Sequence, residues 1–217
     1  MVVLLIVLAF AMMVLIDHLF LRTPIVFEAP EPKRAPRPSL VGGFELPLGL
    51  QYHPGHTWAV AESPERVRVG ADDFAMKFAG HTTGVDIPER GQWIRQGQKI
   101  ISIHRDGADL ELVSPIEGTV IDINEKVLGD PEAARRDPYG EGWLLMVNAP
   151  DVKTNFRNLL SGSVARRWLD DSAAKLRAAL TPLAMSTAQE GGVAVDAIAD
   201  QLPKEQWEKI EHELFLV

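Results

Sequence analysis

The distribution of apolar and polar positions divides the chain into an apolar N-terminal run, a central part with alternating positions, and C-terminal amphipathic segments. Residues 1–16 carry no polar or charged side chain, and Leu19, Phe20 and Leu21 extend this run. A helix of about 20 apolar residues crosses the hydrocarbon core of a bilayer. The pattern predicts a transmembrane helix over residues 1–21. It lacks the basic start and the small-residue cleavage site of a signal peptide.

Basic residues flank only one side of this predicted helix. None precedes it, whereas Arg22 and three more basic residues up to Arg37 follow it. Positive charge favours the cytoplasmic side, so we expect a single-pass protein of the inner (cytoplasmic) membrane with its N-terminus outside. Asp17 and His18 would lie near the inner end of the helix. They are either solvated at the headgroup level or contact a neighbouring membrane helix, and they are candidate partner contacts.

Prolines are frequent over residues 22–49, with "EAPEPKRAPRPSL" at the centre of the segment. Proline lacks the amide proton and has a restricted φ angle, which favours an extended chain over a helix. We expect this segment to be a tether that spaces a folded domain from the membrane.

Short alternating segments dominate residues 50–160. Asp72 or Asp73 caps a predicted helix in "DDFAMKFAG", which Gly80 ends. Short strands separated by Gly and Pro turns favour a mainly β domain that is a small barrel or sandwich. The predicted strands lie in "TWAVAE", "RVRVG", "QKIISI", "LELVSP" and "GTVIDINEKV".

Residues 161–180 form a predicted amphipathic helix that packs on the domain. Arg166 and Arg167 lie on its basic face, which is either solvated or close to anionic lipid headgroups or an acidic partner. The predicted apolar stripe consists of Val164, Trp168, Ser172, Leu176 and Leu180.

Residues 181–217 form a predicted linker followed by a second, acidic amphipathic helix. Pro203 stands near its first turn, and Trp207, Ile210 and Leu214 share one face with Val217. A short helix of this kind has to dock to be stable. It docks either on its own domain or on another subunit, where those three residues are candidate partner contacts.

The composition narrows the possible functions. The chain has 217 residues, of which 46% are hydrophobic, so it can bury a core. A formal net charge of -8 argues against a nucleic-acid partner, because phosphate binding needs clustered positive charge. The absence of cysteine excludes disulfides, thiolate metal sites and cysteine nucleophiles.

Five segments in register carry a resemblance to a known family. Together they cover about residues 50–160, and the chain resembles the H protein of the glycine cleavage system. The resemblance implies a barrel-sandwich hybrid fold of the lipoyl or hammerhead type, with C-terminal helices. The segments are "HTWA" (56–59), "RVRVGADDFA" (66–75), "DIPERGQWIRQGQKI" (86–100), "SPIEGTVIDIN" (114–124) and "DPYGEGWLLMV" (137–147).

The resemblance also implies a hairpin tip with a lysine that carries lipoate. Counted back from Ser114 and Pro115, the lysine position is Gly107. Lipoate attachment requires a lysine amine, and neighbouring Arg105 is not a nucleophile, because its guanidinium stays protonated. We therefore expect no cofactor. Asp106 and Gly107 instead favour a two-residue hairpin turn.

A second chemical hypothesis concerns histidines. His53 and His56 could ligate a metal together with His81 or His104. Alternatively, the imidazoles bond to backbone or solvent, and the resemblance implies a structural role for His56. The sequence shows no complete ligand set and no active site.

Three functions remain open at this stage. The first is a non-catalytic, membrane-anchored accessory subunit of a larger, energy-transducing membrane complex, with other subunits and the lipid bilayer as partners. The second is a membrane-tethered carrier or decoy that docks to glycine cleavage or other lipoate-dependent enzymes. The third is a metal-dependent enzyme.

Overall fold

The computed structural model describes Met12 and residues 39–105, 109–184 and 204–216. The elements named below belong to one compact unit, Arg37–Val217. Apart from Met12, the predicted membrane helix 1–21 lies outside the described residues, as do Asp17 and His18, so this helix stays a prediction. Within the described part of the chain, the helices are either too short or too polar to cross a bilayer.

Strands lie between residues 39 and 148, and the two longest helices follow them. The strands are β1 Ser39–Val41, β2 Phe44–Leu46, β3 Gln51–His53, β4 Thr57–Ala61, β5 Arg66–Ala71, β6 Thr82–Asp86, β7 Trp93–Ile94, β8 Lys99–Arg105, β9 Leu110–Val113, β10 Gly118–Ile123 and β11 Leu145–Asn148. The helices are α1 Asp73–Ala79, α2 Glu125–Gly129, α3 Glu132–Arg136, α4 Val152–Arg157, α5 Gly162–Ala184 and α6 Lys204–Phe215. The predicted mainly β domain with C-terminal helices is confirmed.

The described strands form three antiparallel sheets. β1 and β2 form a two-stranded hairpin. The largest sheet has the strand order β3-β4-β5-β11-β10-β7, and the third has the order β6-β8-β9. In the last sheet β8 is central, so β9 is an edge strand.

Trp58 lies on β4, in the largest sheet. It is fully buried, and its indole N–H donates to the carbonyl oxygens of Ala71 at 2.9 Å and Pro138 at 3.1 Å. Gly70 lies directly under the ring, because a Cβ atom there would be 2.6 Å from the indole carbons. The Trp ring therefore joins β4 and β5 to the loop before β11.

Helix α1 begins where the sequence predicts. Asp72 is its N-cap, and the carboxylate accepts a hydrogen bond from the Ala75 N–H at 2.8 Å. Gly80 ends the helix with a φ of +74°. Phe74 and Phe78 are fully buried, so α1 presents two aromatic rings to the core.

Within the predicted tether over residues 22–49, residues 39–46 form a β-hairpin instead of an extended segment. Gly42 and Gly43 have φ angles of +61° and +96°, as a two-residue hairpin turn requires. The flanking strands β1 and β2 bury Phe44 against Phe74, with ring centroids 4.6 Å apart. The backbone N–H of Glu45 donates to the Asp73 carboxylate at 2.7 Å, which ties the hairpin to α1.

The strand predicted through "GTVIDINEKV" ends earlier than expected. Asn124 is an N-cap, and its side chain accepts from the Lys126 N–H at 3.1 Å, which starts α2. Its amide also donates to the carbonyl oxygens of Glu141 and Trp143. Asn124 continues the alternating pattern but is a helix cap, so the strand prediction is wrong after Ile123.

Helix α5 confirms the predicted helix over residues 161–180 and its apolar stripe, in which Ser172 and Leu176 are buried, except at the first position of the stripe. Val164 is 48% exposed, whereas Ala165 is fully buried. Small residues let α5 lie close to the hairpin β1–β2, where a Cβ atom on Gly42 would be 2.5 Å from Ala173. Arg166 and Arg167 are exposed, consistent with a solvated face, and their partner contacts stay predictions.

Candidate functional site

The hairpin of β8 and β9 is the candidate site. Ser102 pairs with Glu111 and Ile103 pairs with Leu110, so the predicted hairpin is confirmed. Residues 106–108, including Gly107, lie outside the described residues, and the predicted turn type stays a prediction. Ile103 and Leu110 are buried, so the two strands are held in register by their inner face.

A histidine with two carboxylates lies at the stem of this hairpin. His104 Nδ1 is 2.9 Å from Asp109 and Nε2 is 2.9 Å from Asp86 on β6. The hydrogen bonds to Asp109 and then to Asp86 raise the pKa of His104. The sequence indicates His104 only as a possible metal ligand and does not predict this cluster. The alternating positions around the turn give no signal for it, since Asp86 belongs to another strand.

Helix α6 packs along the flank of the hairpin. Trp207 stacks on Phe78, with ring centroids 4.3 Å apart and an interplanar angle of 8°. The Arg105 guanidinium lies 4.9 Å from the centroid of the Trp207 ring. Glu211 accepts a hydrogen bond from the backbone N–H of Glu111 at 3.1 Å, on the outer edge of β9.

The apolar face of α6 is covered by the chain itself. Trp207, Ile210 and Leu214 are 3%, 6% and 6% exposed. Of the two predicted docking modes, on its own domain or on another subunit, the structure shows α6 docked on its own domain. As contacts to another subunit, these three residues stay predictions.

The end of α6 meets a buried cluster of rings. Phe215 is fully buried, and its ring centroid lies 5.1 Å from those of His56 and Phe78 and 6.0 Å from that of Phe74. The backbone approaches closely at Gly55, where a Cβ atom would be 2.9 Å from the Phe215 carbonyl oxygen. The last turn of α6 therefore closes this part of the core.

His56 pairs with a carboxylate and is fully buried. Its Nδ1 is 2.9 Å from Asp72 Oδ2, and its ring stacks on Phe74 at 4.1 Å. Trp168 of α5 lies at 4.6 Å. Among the described residues, His56 Nε2 has no hydrogen-bond partner. The pair joins the residue before β4 to the cap of α1.

His53 and His56 lie close together in sequence but make different contacts. His53 Nδ1 accepts from the backbone N–H of Gly55 at 3.0 Å. The described residues contain no group of three or more His, Asp or Glu side chains placed to hold a metal ion. The contacts made by both imidazoles agree with the structural interpretation of these histidines.

The burial of His53 predicts an acid-sensitive contribution to stability. Burial, with a smaller effect of His56, lowers the pKa of His53 to about 4. An unfolded histidine has a pKa of about 6.5, so the unfolded chain binds more protons below that value. The contribution of His53 is present above about pH 6.5 and is lost as the pH falls towards the folded-state pKa.

We expect His53→Gln to reduce the loss of stability between about pH 7 and about pH 5, because glutamine does not titrate. Glutamine can still accept the Gly55 hydrogen bond. The urea midpoint of unfolding measures the effect at each pH. His81→Gln is the control, since the His81 side chain is 67% exposed. An equal pH dependence in the His53 variant and the wild type would contradict the prediction.

Comparison with known proteins identifies relatives of the β domain. Residues 50–172 match the family model described as "Glycine cleavage H-protein". The chain is 34% identical over 118 residues to the probable glycine cleavage system H protein of Aeropyrum pernix, covering 54% of this chain and 81% of that protein. It is 36% identical over 104 residues to the glycine cleavage system H protein of Coprothermobacter proteolyticus, covering 48% of this chain and 82% of that protein.

A solved structure shows the same fold. The crystal structure of a glycine cleavage system H protein from Mycobacterium marinum superposes with a TM-score of 0.51 at 26% identity. The match covers 58% of this chain and 98% of that one. The family model ends at residue 172 and therefore does not include α6.

Proposed function

This chain belongs to the glycine cleavage H-protein family, and from that premise we propose that its domain has lost the carrier role and serves as the binding surface of a membrane-anchored accessory subunit. The observation that carries the proposal is glycine at position 107. Counted from Ser114 and Pro115, this is the position of the family's lipoate-bearing lysine. Lipoate is attached by an amide bond to a lysine amine, and glycine has no side chain.

The neighbouring lysines do not replace the missing amine. Lys99 begins β8 and pairs with Val113, at the end of the hairpin opposite the turn. Lys77 lies in α1, where its ammonium group is 2.9 Å from the Asp73 carboxylate. Lys126 lies in α2 and pairs with Glu141. None of these three residues belongs to the hairpin tip.

The proposed anchor and partners rest on the sequence of the N-terminal part. Residues 1–16 are apolar throughout, and basic residues follow the run, which supports a single-pass anchor with the β domain in the cytoplasm. A domain that keeps its fold but has no lipoate attachment site still has a surface to which other subunits can bind. We therefore assign it a non-catalytic role in a larger membrane complex, with no cofactor.

The retained hairpin supports a second candidate function. Its strands pair in register up to Ile103 and Leu110, although no lipoate can be mounted at its tip. Such a hairpin could still dock to lipoate-dependent enzymes as a decoy at the membrane. This function differs from the first in its partners, which would be soluble enzymes.

Purification from native membranes in mild detergent tests both candidates. We expect the chain to stay with the membrane fraction, to have an intact mass without a lipoyl group, and to co-purify with membrane subunits in stoichiometric amount. Soluble lipoate-dependent enzymes in their place would favour the decoy. A lipoyl group on the wild-type chain would contradict the loss of the carrier role.

A single substitution tests whether the missing lysine amine at position 107 explains the absence of lipoate. Gly107→Lys places an acceptor at the hairpin tip and leaves the rest of the chain unchanged. An H protein that has the lysine, expressed in the same cells, shows that the lipoylation machinery is active. Lipoylation of the Gly107→Lys variant together with an unmodified wild type would attribute the loss to this one position.

A further inference from the structure

His104 lies between two neighbouring strands at the end of the β8–β9 hairpin. Asp109 stands directly before β9 and faces His104 across the hairpin. On the other side of β8, Gly84 of β6 pairs with His104. Gly84 has no side chain, and a Cβ atom there would be 3.2 Å from the imidazole Cδ2. The ring therefore lies over β6 and reaches Asp86, which is two residues further along the same face.

The two hydrogen bonds of the His104 ring require two ring protons. Nδ1 is 2.9 Å from Asp109 Oδ1, and Nε2 is 2.9 Å from Asp86 Oδ2. An ionised carboxylate only accepts hydrogen bonds, and a neutral imidazole has one N–H, whereas the imidazolium has two. Both bonds therefore exist together only while the ring is charged. The same two hydrogen bonds, that to Asp109 first, raise the pKa of His104.

The charged groups next to this ring are carboxylates on its own face of the sheet and one cation on the other face. Glu111 of β9 shares the face of His104, because it lies two positions after Asp109. Arg105 follows His104 on β8 and extends from the opposite face, where its guanidinium contacts the Trp207 ring of α6. A neutral ring would thus direct one nitrogen lone pair at a carboxylate.

Two further charged or titratable groups near the hairpin have other partners. Glu211 of α6 accepts from the Glu111 backbone N–H at 3.1 Å. His81 precedes β6, and its Nδ1 lies 3.1 Å from the Glu132 carboxylate. The polar atoms of these groups are therefore directed at partners other than His104.

Loss of the second ring proton breaks one of the two hydrogen bonds. The Asp86 side chain is 79% exposed and that of Asp109 is 53% exposed. The more exposed carboxylate regains more of its water, so the neutral ring keeps its proton on Nδ1 and its bond to Asp109. Asp109 also lies in the same hairpin as His104, whereas Asp86 belongs to another strand. The contact that is lost is the one between the hairpin and β6.

We propose that His104, Asp86 and Asp109 form a proton-operated clip that fastens the end of the β8–β9 hairpin to β6. When the ring is charged, the hairpin end is held on β6. When the ring is neutral, the bond to Asp86 is broken and the hairpin end separates from β6, while the bond to Asp109 keeps the hairpin itself closed. The clip consists only of residues of the β domain, so it works in the same way in both candidate functions.

The direction of the pH effect follows from the raised pKa of His104. An unfolded histidine has a pKa of about 6.5. The clip is complete below that value and is lost as the pH rises through the higher pKa of the folded state. The contribution of His53 has the opposite sign, because it is lost when the pH falls.

NMR spectroscopy of the full chain in detergent micelles, with ¹⁵N in the histidine rings, follows the proton at His104. The His104→Gln variant identifies the signals of this ring. We expect two protonated nitrogens in acid, a protonated Nδ1 with a bare Nε2 in alkali, and a midpoint above about pH 6.5. The backbone amide signal of Gly84, which pairs with His104, should shift with the same midpoint.

Two substitutions distinguish the clip from a simple titration. Asp86→Ala removes the acceptor on β6, so the Gly84 signal should keep its alkaline position at every pH. Asp109→Asn provides an amide N–H that donates to Nδ1, so a neutral ring keeps its proton on Nε2 for Asp86. In that variant the Gly84 signal should keep its acidic position. His81→Gln is the control and should leave the Gly84 titration unchanged, since the His81 side chain is 67% exposed and pairs with Glu132.

Three results would overturn the proposal. One is a titration of His104 that leaves the Gly84 signal in place. Another is a wild-type midpoint at or below about pH 6.5, the value of an unfolded histidine. The third is an Asp109→Asn variant in which Gly84 follows the pH as in the wild type. Asp86 and Asp109 are exposed, so their substitution should preserve the fold, which circular dichroism verifies.

Discussion

The substitution His56→Ala is expected to lower the free energy of unfolding by about 3 to 5 kcal/mol, the usual effect of removing one member of a buried pair. Asp72 is 1% exposed and His56 is fully buried, so the carboxylate would lose its partner without gaining water. Asp72 also caps α1 through the Ala75 N–H. The loss therefore extends to the start of that helix.

The backbone adds to this effect. His56 has a φ of +60°, a conformation that alanine adopts less readily than histidine or asparagine. His56→Asn should consequently lose less stability than His56→Ala, because asparagine tolerates this conformation and retains a hydrogen-bonding group. Urea unfolding followed by circular dichroism measures both variants.

His81→Ala is the matched control for this experiment. His81 also pairs with a carboxylate, Glu132, but its side chain is 67% exposed. Exposed pairs contribute about 0 to 1 kcal/mol, so the control should remain close to the wild type. A His56→Ala loss no larger than that of the control would contradict the structural role of the pair.

The substitution Phe215→Ala is expected to release α6 from the β domain. Removal of a buried phenylalanine side chain costs about 3 to 5 kcal/mol, which a docked short helix cannot compensate by its own helix propensity. The ring contacts His56, Phe74 and Phe78, so the cavity would open at the last turn. The β domain should remain folded, because α6 lies beyond the residues matched by the family model.

Hydrogen exchange resolves this effect by region. Amides of α6 should exchange rapidly in Phe215→Ala, while those of β4, β5 and β11 stay protected. Leu216→Ala is the neighbouring control, since Leu216 is 54% exposed and its removal should leave α6 protected. Wild-type protection of α6 in Phe215→Ala would show that the helix is held by other contacts.

Helix caps, turn residues and alternating apolar positions predicted much of the fold, because each of them acts between residues that are close in the sequence. Asp72 caps α1 and Gly80 ends it, as the sequence indicates. The hairpin β8–β9 follows from alternating positions around a predicted Asp-Gly turn. The same reasoning is wrong at Asn124, which is a helix cap, and at Val164, which is exposed, because both outcomes depend on what lies next to these positions in the fold.

The sequence by itself determined the family, five of the strands (β4, β5, β8, β9 and β10), the two C-terminal helices and the glycine at position 107. Only the tertiary structure decided that α6 docks on the β domain of its own chain, that His56 meets Asp72, and that His104 joins Asp86 to Asp109. The physical reason is the range of each interaction. Caps, turns and alternation act between near neighbours, whereas docking and buried pairing depend on which distant surfaces exclude water together.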